Sequence, residues 1–174
     1  KTEFPMDHVI GIWWSGHDGD MKAVGAACKG YKSISWSVPV SDAPVMQDIK
    51  KYVLDAKVNT IGEGEFDWVF YQRGVLISMF LTEGIKTAQE HFNAKVITPE
   101  QLRWGLENLN FDEARIKALG AEGMVAPFKT TCADHAGHAG GWILQWDGSK
   151  FVKASDLLTA DRDAIVPLEQ IGRA

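Results

Sequence analysis

The sequence contains no long hydrophobic run and no block of basic residues. A helix needs about 18 consecutive apolar residues to cross a bilayer, and no stretch of this 174-residue chain reaches that length. The net charge of −5 and the lack of a basic cluster argue against nucleic acid or an anionic membrane surface as a partner. The composition, 45% hydrophobic and 24% charged, is typical of a globular protein.

Cysteine is scarce, because Cys28 and Cys132 are the only two in the chain. They are compatible with a reduced cytosolic protein, with one disulfide, or with pairing to cysteines outside this chain. The chain begins at Lys1 without a signal peptide or an initiator methionine, so we expect a mature form or a fragment. The motifs GxGxxG, GxSxG and HExxH and the phosphate-binding P-loop are all absent, and we assign no catalytic residue.

The most informative stretch is 71–92, where apolar residues recur at helical spacing. It predicts a helix of about 22 residues that is apolar around much of its girth and must pack on a sheet. We expect Gln72 and Arg73 to solvate its first turn. An aromatic cluster surrounds its N-terminus, which we place near the sheet edge where ligands collect in open α/β folds.

The segments before this helix alternate between strand and helix patterns. Residues 8–14 read as a buried strand, and residues 31–38 as a strand with Ile34, Trp36 and Val38 on its apolar face. Helices are predicted over 21–29 and from about residue 44 to residue 56. This alternation predicts a parallel α/β sheet.

The segments after the long helix carry local start and turn signals. Thr98, Pro99 and Gln101 form the pattern of a capping box, which predicts a helix start, and a second short helix is predicted over 112–119. The clearest hairpin joins WILQW to SKFVKA through Asp147 and Gly148. The type of the last piece, 165–171, is left open.

A first candidate site follows the first predicted strand, at Trp13-Trp14-Ser15-Gly16-His17. Adjacent side chains on a strand point to opposite faces, so at most one tryptophan would face a given cleft. Both tryptophans could equally belong to the core. In the alternative interpretation, one tryptophan lines a ligand site, and Ser15 or a loop N–H group donates a hydrogen bond to the ligand.

A second candidate is the cluster formed by Cys132, Asp134, His135 and His138. It could offer three ligands to zinc, or a Cys/His nucleophile pair, which makes a small metallo- or cysteine hydrolase the alternative function. The spacing lacks a matching second half of a zinc pattern, and no oxyanion-hole signature accompanies it. We therefore favour a structural loop, and expect neither a metal nor a cofactor.

Five stretches resemble a known family when taken in order: VPVSDAPVMQDIKKYV, YQRGVLISMFLTEGIKTA, TPEQLRWGLENLN, GMVAPFK and GGWILQWDGSKFVKASDL. Together they are similar to the C-terminal half of the type I periplasmic solute-binding proteins that serve branched-chain-amino-acid-type ABC transporters. The resemblance covers nearly the whole chain. It rests on the order of the elements and on the terminal QWDGSKFV hairpin rather than on one decisive motif.

This resemblance implies an α/β protein with two Rossmann-like lobes, of which the chain supplies a C-terminal part. Residues 1–38 would belong to the second lobe, 39–129 to the first, and 130–174 would cross back to the second. The implied function is non-enzymatic: binding of a small solute (an amino acid, amide or small carboxylate) in the periplasm and delivery to a membrane permease. The N-terminal remainder, in the same or a separate chain, would be a further partner.

On this mapping the ligand-binding residues are Trp13, Trp14, Ser15 and His17 from the second lobe, with Phe70 and Tyr71 from the first. The two tryptophans favour an apolar or aromatic ligand. The resemblance also implies that the Ser/Thr and backbone groups that hold an amino-acid carboxylate lie in the part absent from this chain. An interaction-only α/β domain is the third class we consider, and a sensor domain is a related use of the same fold.

Overall fold

The computed structural model describes residues 4–58, 63–137, 140–161 and 163–165. The α-helices in these ranges are α1 (Asp18–Val24), α2 (Pro44–Ile49), α3 (Val69–Phe92), α4 (Pro99–Leu106) and α5 (Glu113–Ala118). The strands are β1 (Ile10–Gly11), β2 (Lys32–Ser35), β3 (Asn110–Phe111), β4 (Phe128–Lys129), β5 (Gly140–Trp146), β6 (Phe151–Lys153) and β7 (Leu158–Thr159). None of the described helices combines the length and the apolar character that a bilayer crossing requires. Most of the predicted last piece, 165–171, lies outside the described residues.

The main sheet is mixed, in the order β1-β2-β5-β6, with β7 pairing to the start of β5. Only the β1–β2 pairing in it is parallel, and β5 runs antiparallel to each of its partners. The prediction of a parallel sheet was therefore correct for one pair only. The reason is that β5 belongs to the C-terminal hairpin, where Asp147 Oδ1 accepts the N–H groups of Ser149 and Lys150 and closes the turn. The fold class is α/β with a parallel-containing sheet.

The two cores of the chain are joined by α3, whose predicted existence and length are confirmed. One core, built mainly from α2, α3, α5 and the two-stranded sheet β3–β4, contains Met46, Leu76 and Met124. The other lies against the main sheet and contains Val69 and Trp146. Since Val69 opens α3 and Leu76 lies two turns further on, one continuous helix takes part in both cores.

The close approach of α3 and α4 depends on two glycines. A Cβ atom added at Gly105 would overlap the carbonyl oxygen of Gly84, and a Cβ atom at Gly84 would overlap the side chain of Leu106. The predicted capping box at the start of α4 is confirmed. Thr98 Oγ1 accepts the N–H of Gln101 at 3.3 Å, and Gln101 Oε1 accepts the N–H of Thr98 at 2.9 Å.

Within β2 the buried side chains belong to the serine face rather than to the predicted apolar face, although Val38, which follows the strand, is buried as predicted. Ile34 is 44% exposed, whereas Ser33, Ser35 and Ser37 are buried. These serines can be buried because their hydroxyls are hydrogen-bonded: Ser33 Oγ donates to the carbonyl of Ile12 at 2.9 Å, and Ser35 Oγ donates to the carbonyl of Ser37 at 2.6 Å. The predicted alternation of side chains along this strand is correct, but the side that carries the serine hydroxyls is the buried one.

The first strand is shorter and more exposed than predicted. It pairs only through Ile10 and Gly11, at the edge of the sheet, and Ile10 and Ile12 are largely exposed. Residues Trp13–Ser15 form a 3-10 turn instead of continuing the strand. The chain therefore turns before the two tryptophans are reached, and this decides how they are arranged.

Candidate ligand site at the carboxyl ends of β1 and β2

The 3-10 turn places the rings of Trp13 and Trp14 against each other rather than on opposite faces. Their centroids are 4.0 Å apart, with an interplanar angle of 29°. Ser15 closes this turn, since its N–H and its Oγ both donate to the carbonyl of Ile12, at 2.9 and 2.6 Å. The strand-based argument about opposite faces was wrong because the strand ends at Gly11. The hydroxyl hydrogen of Ser15 therefore forms a hydrogen bond within the turn.

The loop after β1 meets the N-terminus of α3 through aromatic contacts. The His17 ring stacks on Phe70 with centroids 4.9 Å apart, and Trp14 meets Phe70 edge-on at 5.8 Å. Trp68, which precedes α3, meets His17 edge-on at 5.4 Å. The structure thus brings Trp13, Trp14, His17 and Phe70 together. We call this group, with Trp68, the aromatic cluster.

Tyr71, the remaining predicted site residue, lies on a different side of α3. Its ring packs against Phe66 at 6.0 Å and borders the core that contains Met46. Successive residues on a helix differ by about 100° in direction, so the rings of Phe70 and Tyr71 diverge. Tyr71 lines a cleft of about 700 Å³ with Val75 and Met79, and Phe70 borders this cleft as well as the aromatic cluster.

Asp18 anchors the loop to the helix. Its side chain is 1% exposed, and its Oδ2 accepts the N–H of Val69, the first residue of α3, at 2.8 Å. A carboxylate at this position satisfies one of the free N–H groups that begin a helix. Burial nevertheless raises the pKa of Asp18 above its ordinary value, because the charged form loses its hydration.

Arg73 lies at the centre of the site, although the sequence predicted a solvated side chain. It is 4% exposed. Its Nη1 donates to the carbonyl of Trp13 at 3.2 Å, its Nη2 to Ser35 Oγ at 3.0 Å and its Nε to Ser37 Oγ at 3.4 Å. The buried serines of β2 and the segment after it are therefore the acceptors of this guanidinium.

Three aromatic rings surround the guanidinium of Arg73. Its Cζ lies 4.8 Å from the ring centroid of Phe70, 5.1 Å from Trp13 and 5.4 Å from Trp36, within the range of cation–π attraction. Burial lowers the pKa of Arg73 to about 10, so the group still carries its charge at neutral pH. No carboxylate among the described residues comes within 4.0 Å of it.

Gln72, which was also predicted to be solvated, fixes the segment that follows β2. It is 1% exposed. Its Oε1 accepts the N–H of Val40 at 2.6 Å, and its Nε2 donates to Ser41 Oγ at 2.9 Å and to the carbonyl of Phe66 at 3.3 Å. One side chain therefore ties α3 to the chain segments before it.

A cavity of about 560 Å³ adjoins this arrangement. Its wall includes Trp13, Ser35 and Trp36, which also contact the guanidinium of Arg73. Other residues of the wall are Gly140, Gly141 and Leu158. The volume suits a small organic molecule. The cavity lies beside Ser35, the last residue of β2. The sequence placed a ligand at the end of the first strand, and the parallel pairing of β1 with β2 brings both strand ends to the same edge of the sheet.

The loop with Cys132 is held by its own hydrogen bonds. Asp134 Oδ1 accepts the N–H groups of Ala136 and Gly137 at 3.0 and 3.1 Å, and His135 Nε2 lies 3.1 Å from Glu107 Oε1. Cys132 is exposed, and neither it nor Cys28 is in a disulfide. Among the described residues no three His, Cys, Asp or Glu side chains form a metal-binding group, and His138 lies outside them.

Comparison with known proteins places the fold among ABC transporter components. No family model matches the chain, and no curated protein matches it. A crystal structure described as an ABC transporter permease from the Pseudomonas fluorescens group is similar to it with a TM-score of 0.90 and 34% identity, over 98% of this chain and 41% of that one. A branched-chain amino acid ABC transporter protein from Thermus thermophilus, solved with bound valine, is similar with a TM-score of 0.67 and 21% identity, over 89% of this chain and 40% of that one.

The likeness to the Thermus protein shows the fold alone. The chain spans about two fifths of the length of each of these two proteins. It therefore has the fold of a part of such ABC transporter proteins.

Proposed function

We propose that this chain is the C-terminal part of a type I solute-binding protein that binds a small solute in the periplasm and delivers it to an ABC transporter permease, without catalysis. The solute class is an amino acid, an amide or a small carboxylate. The similarity to two ABC transporter proteins supports this proposal, one of them solved with bound valine.

The observation that carries the proposal is the joining of two chain segments at one strand end. The turn after β1 and the first turn of α3 meet in the aromatic cluster, and a cavity of about 560 Å³ adjoins it. In open α/β folds this is the location of ligands. Trp13, which lines this cavity, would contact the apolar part of the solute, and Trp14 would support it through the stacking of the two rings. His17 and Phe70 hold the loop and the helix together.

Tyr71 and Ser15 have different roles in this proposal from those that the sequence suggested. Tyr71 lines the cleft of about 700 Å³, which Phe70 also borders, and Ser15 keeps the tryptophan turn closed. The apolar lining of that cleft would be covered by the N-terminal remainder of a two-lobed protein, whether in the same or a separate chain. The segments 1–38, 39–129 and 130–174 would then alternate between the two lobes.

The test begins with native mass spectrometry of the protein from its natural source, followed by the same sample under denaturing conditions. We expect a small mass that is released on denaturation, and its value would identify the solute. A protein that carries nothing, and whose melting temperature no amino acid, amide or carboxylate changes, would contradict the proposal.

The site itself is tested by Trp14→Ala, with Trp104→Ala as the matched control. Trp14 is 58% exposed, so its loss should leave the fold intact, whereas removing one face of the tryptophan stack should weaken solute binding about tenfold. Trp104 stacks on His91, near the other end of α3, and its replacement should leave the affinity unchanged. Equal affinities of the wild type and Trp14→Ala, measured by isothermal titration calorimetry, would rule out this site.

A further inference from the structure

Arg73 donates hydrogen bonds to two stretches of chain that form the wall of the cavity of about 560 Å³. Its Nη1 donates to the carbonyl of Trp13, in the turn after β1, at 3.2 Å. Its Nη2 donates to Ser35 Oγ, at the end of β2, at 3.0 Å. Trp13 and Ser35 both line the cavity, and the guanidinium lies behind them. One side chain of α3 therefore determines how the turn after β1 lies relative to the end of β2.

Trp36, a third residue of the cavity wall, lies between two serines that the guanidinium binds. Nη2 of Arg73 donates to Ser35, and its Nε donates to Ser37 Oγ at 3.4 Å, so the residues on both sides of Trp36 are fixed. Ser35 Oγ also donates to the carbonyl of Ser37 at 2.6 Å, which closes the bend around Trp36. The backbone at Trp36 is therefore held in place by its two neighbours.

The rings of both tryptophans also contact the guanidinium. Its Cζ lies over the Trp13 ring at 5.1 Å from the centroid and over the Trp36 ring at 5.4 Å, within the range of cation–π attraction. Phe70 adds a third ring at 4.8 Å, from α3 itself. Hydrogen bonds thus fix the backbone beside each tryptophan, and cation–π contacts fix its ring. Arg73 therefore sets how the two indoles border the cavity.

A side chain that only filled this space would be apolar. Arg73 is 4% exposed, and the burial of a cation costs free energy that an apolar side chain of similar volume avoids. An ammonium group would carry the same charge on a single nitrogen. A guanidinium spreads its donors in a plane, so it can bind several acceptors while aromatic rings stay in contact with it. The planar fork is therefore the property of Arg73 that this arrangement uses.

We propose that Arg73 is a positioning residue for the solute site, and that it holds Trp13 and Trp36 in the arrangement that binds the apolar part of the solute. This inference rests on the proposed function and adds to it a residue that acts through the cavity wall rather than on the solute. Loss of the planar fork should therefore weaken binding even where the positive charge is kept. It should do so through the two indoles, whose environment can be measured.

Fluorine NMR of the intact protein labelled with fluorotryptophan follows the two indoles without a ligand. The substitutions Trp13→Phe and Trp36→Phe assign their resonances. We expect Arg73→Lys, which keeps the charge but loses the planar fork, to shift or broaden both resonances. Trp104, near the other end of α3, should keep its resonance in this variant.

Isothermal titration calorimetry at neutral pH with phenylacetamide measures what this rearrangement does to binding. The probe has an apolar ring and no charge, so a weaker affinity cannot result from a lost ion pair with the solute. We expect Arg73→Lys to bind it about tenfold more weakly than the wild type, and Arg73→Gln to bind it no more tightly than Arg73→Lys. Addition of phenylacetamide to the wild type should shift the resonances of Trp13 and Trp36.

Two controls separate positioning from a general loss of stability. Arg115→Lys makes the same chemical change at the arginine that forms an ion pair with Glu83, further along α3. Gly105→Ala should lower the stability at the contact of α3 with α4, because its Cβ would overlap the carbonyl oxygen of Gly84. Both variants should keep the affinity for phenylacetamide and the resonances of both indoles. Urea unfolding followed by circular dichroism checks that every variant is folded, and Arg73→Lys decides the test if Arg73→Gln does not fold.

The outcomes separate this inference from the function on which it rests. Unchanged indole resonances or an unchanged affinity in Arg73→Lys would overturn the role of Arg73, and so would equal losses in Gly105→Ala; solute binding would stand in each case. A wild type that releases a solute on denaturation but does not bind phenylacetamide would overturn this inference alone. A wild type that does neither would overturn both proposals.

Discussion

Replacing Gln72 with leucine tests whether the buried polar contacts of α3 hold the segment after β2 in place. Leucine has a similar volume but cannot accept from Val40 or donate to Ser41 and Phe66. The substitution therefore removes three hydrogen bonds and adds no volume that the site must accommodate. We expect the protein to remain folded and to be less stable.

The size of the loss in unfolding free energy depends on which hydrogen-bond partners of Gln72 would be left without another polar group to bond. The N–H of Val40 and the carbonyl of Phe66 would be left unpaired in a poorly hydrated region, at a cost of about 1–3 kcal/mol each. Ser41 is half-buried, so its hydroxyl can turn to water at little cost. The buried apolar side chain offsets about 1–2 kcal/mol. The net loss of unfolding free energy should be about 2–4 kcal/mol.

Urea unfolding followed by tryptophan fluorescence measures this loss, and Gln89→Leu is its control in the same helix. Gln89 Nε2 donates to the carbonyl of Lys95 at 2.6 Å in an exposed position, where water can replace the lost partner. The control should cost less than about 1 kcal/mol. Equal losses in the two variants would refute the argument that the burial of Gln72 decides the cost.

Two further predictions concern Asp18 and Gly105. The folded-state pKa of Asp18 is raised, so the stability that this group contributes is present below its unfolded pKa and is lost as the pH rises through the folded pKa. Asp18→Asn, which does not titrate, should therefore gain unfolding free energy relative to the wild type as the pH rises above about 4, the ordinary pKa of an aspartate, and a pH-independent difference in urea unfolding would contradict this. Gly105→Ala should lower the unfolding free energy by about 1–2 kcal/mol, because overlap with the Gly84 carbonyl outweighs the better helix propensity of alanine. Gly74→Ala, where no atom lies within 4 Å of the added Cβ, should instead gain up to about 1 kcal/mol, and a Gly105→Ala variant that melts as high as Gly74→Ala would contradict the overlap argument.

The elements that local signals define could be predicted from the sequence. The period of apolar residues gave α3, the Thr98–Gln101 pair gave the start of α4, and Asp147 gave the hairpin turn. Each of these signals acts between residues a few positions apart. The resemblance predicted that the loop after β1 and Phe70 border one ligand cleft, and this stays a prediction. The structure shows that Trp14 and Phe70 are in contact.

What failed depends on contacts between distant segments. The serine face of β2 is buried because Arg73, from a helix that begins 34 residues after β2 ends, supplies donors to it. A strand pattern alone assigns the buried face to Ile34. Arg73 and Gln72 were placed in solvent because polar residues in the first turn of a helix usually contact water. An arginine followed by a nearly uninterrupted apolar run was the one signal that could have pointed to its burial.

The continuity of α3 limits how the two cores can move relative to each other. At about 1.5 Å per residue, its 24 residues form a rod about 36 Å long. Val69 and Phe70 at its start take part in one core, and residues between Tyr71 and Phe80 take part in the other. Any rotation between the cores would have to pivot at that first turn, and a rotation of about 10° would displace the far end of the rod by about 6 Å. A rotation about the first turn of α3 would therefore displace Phe70 very little and Phe92 most.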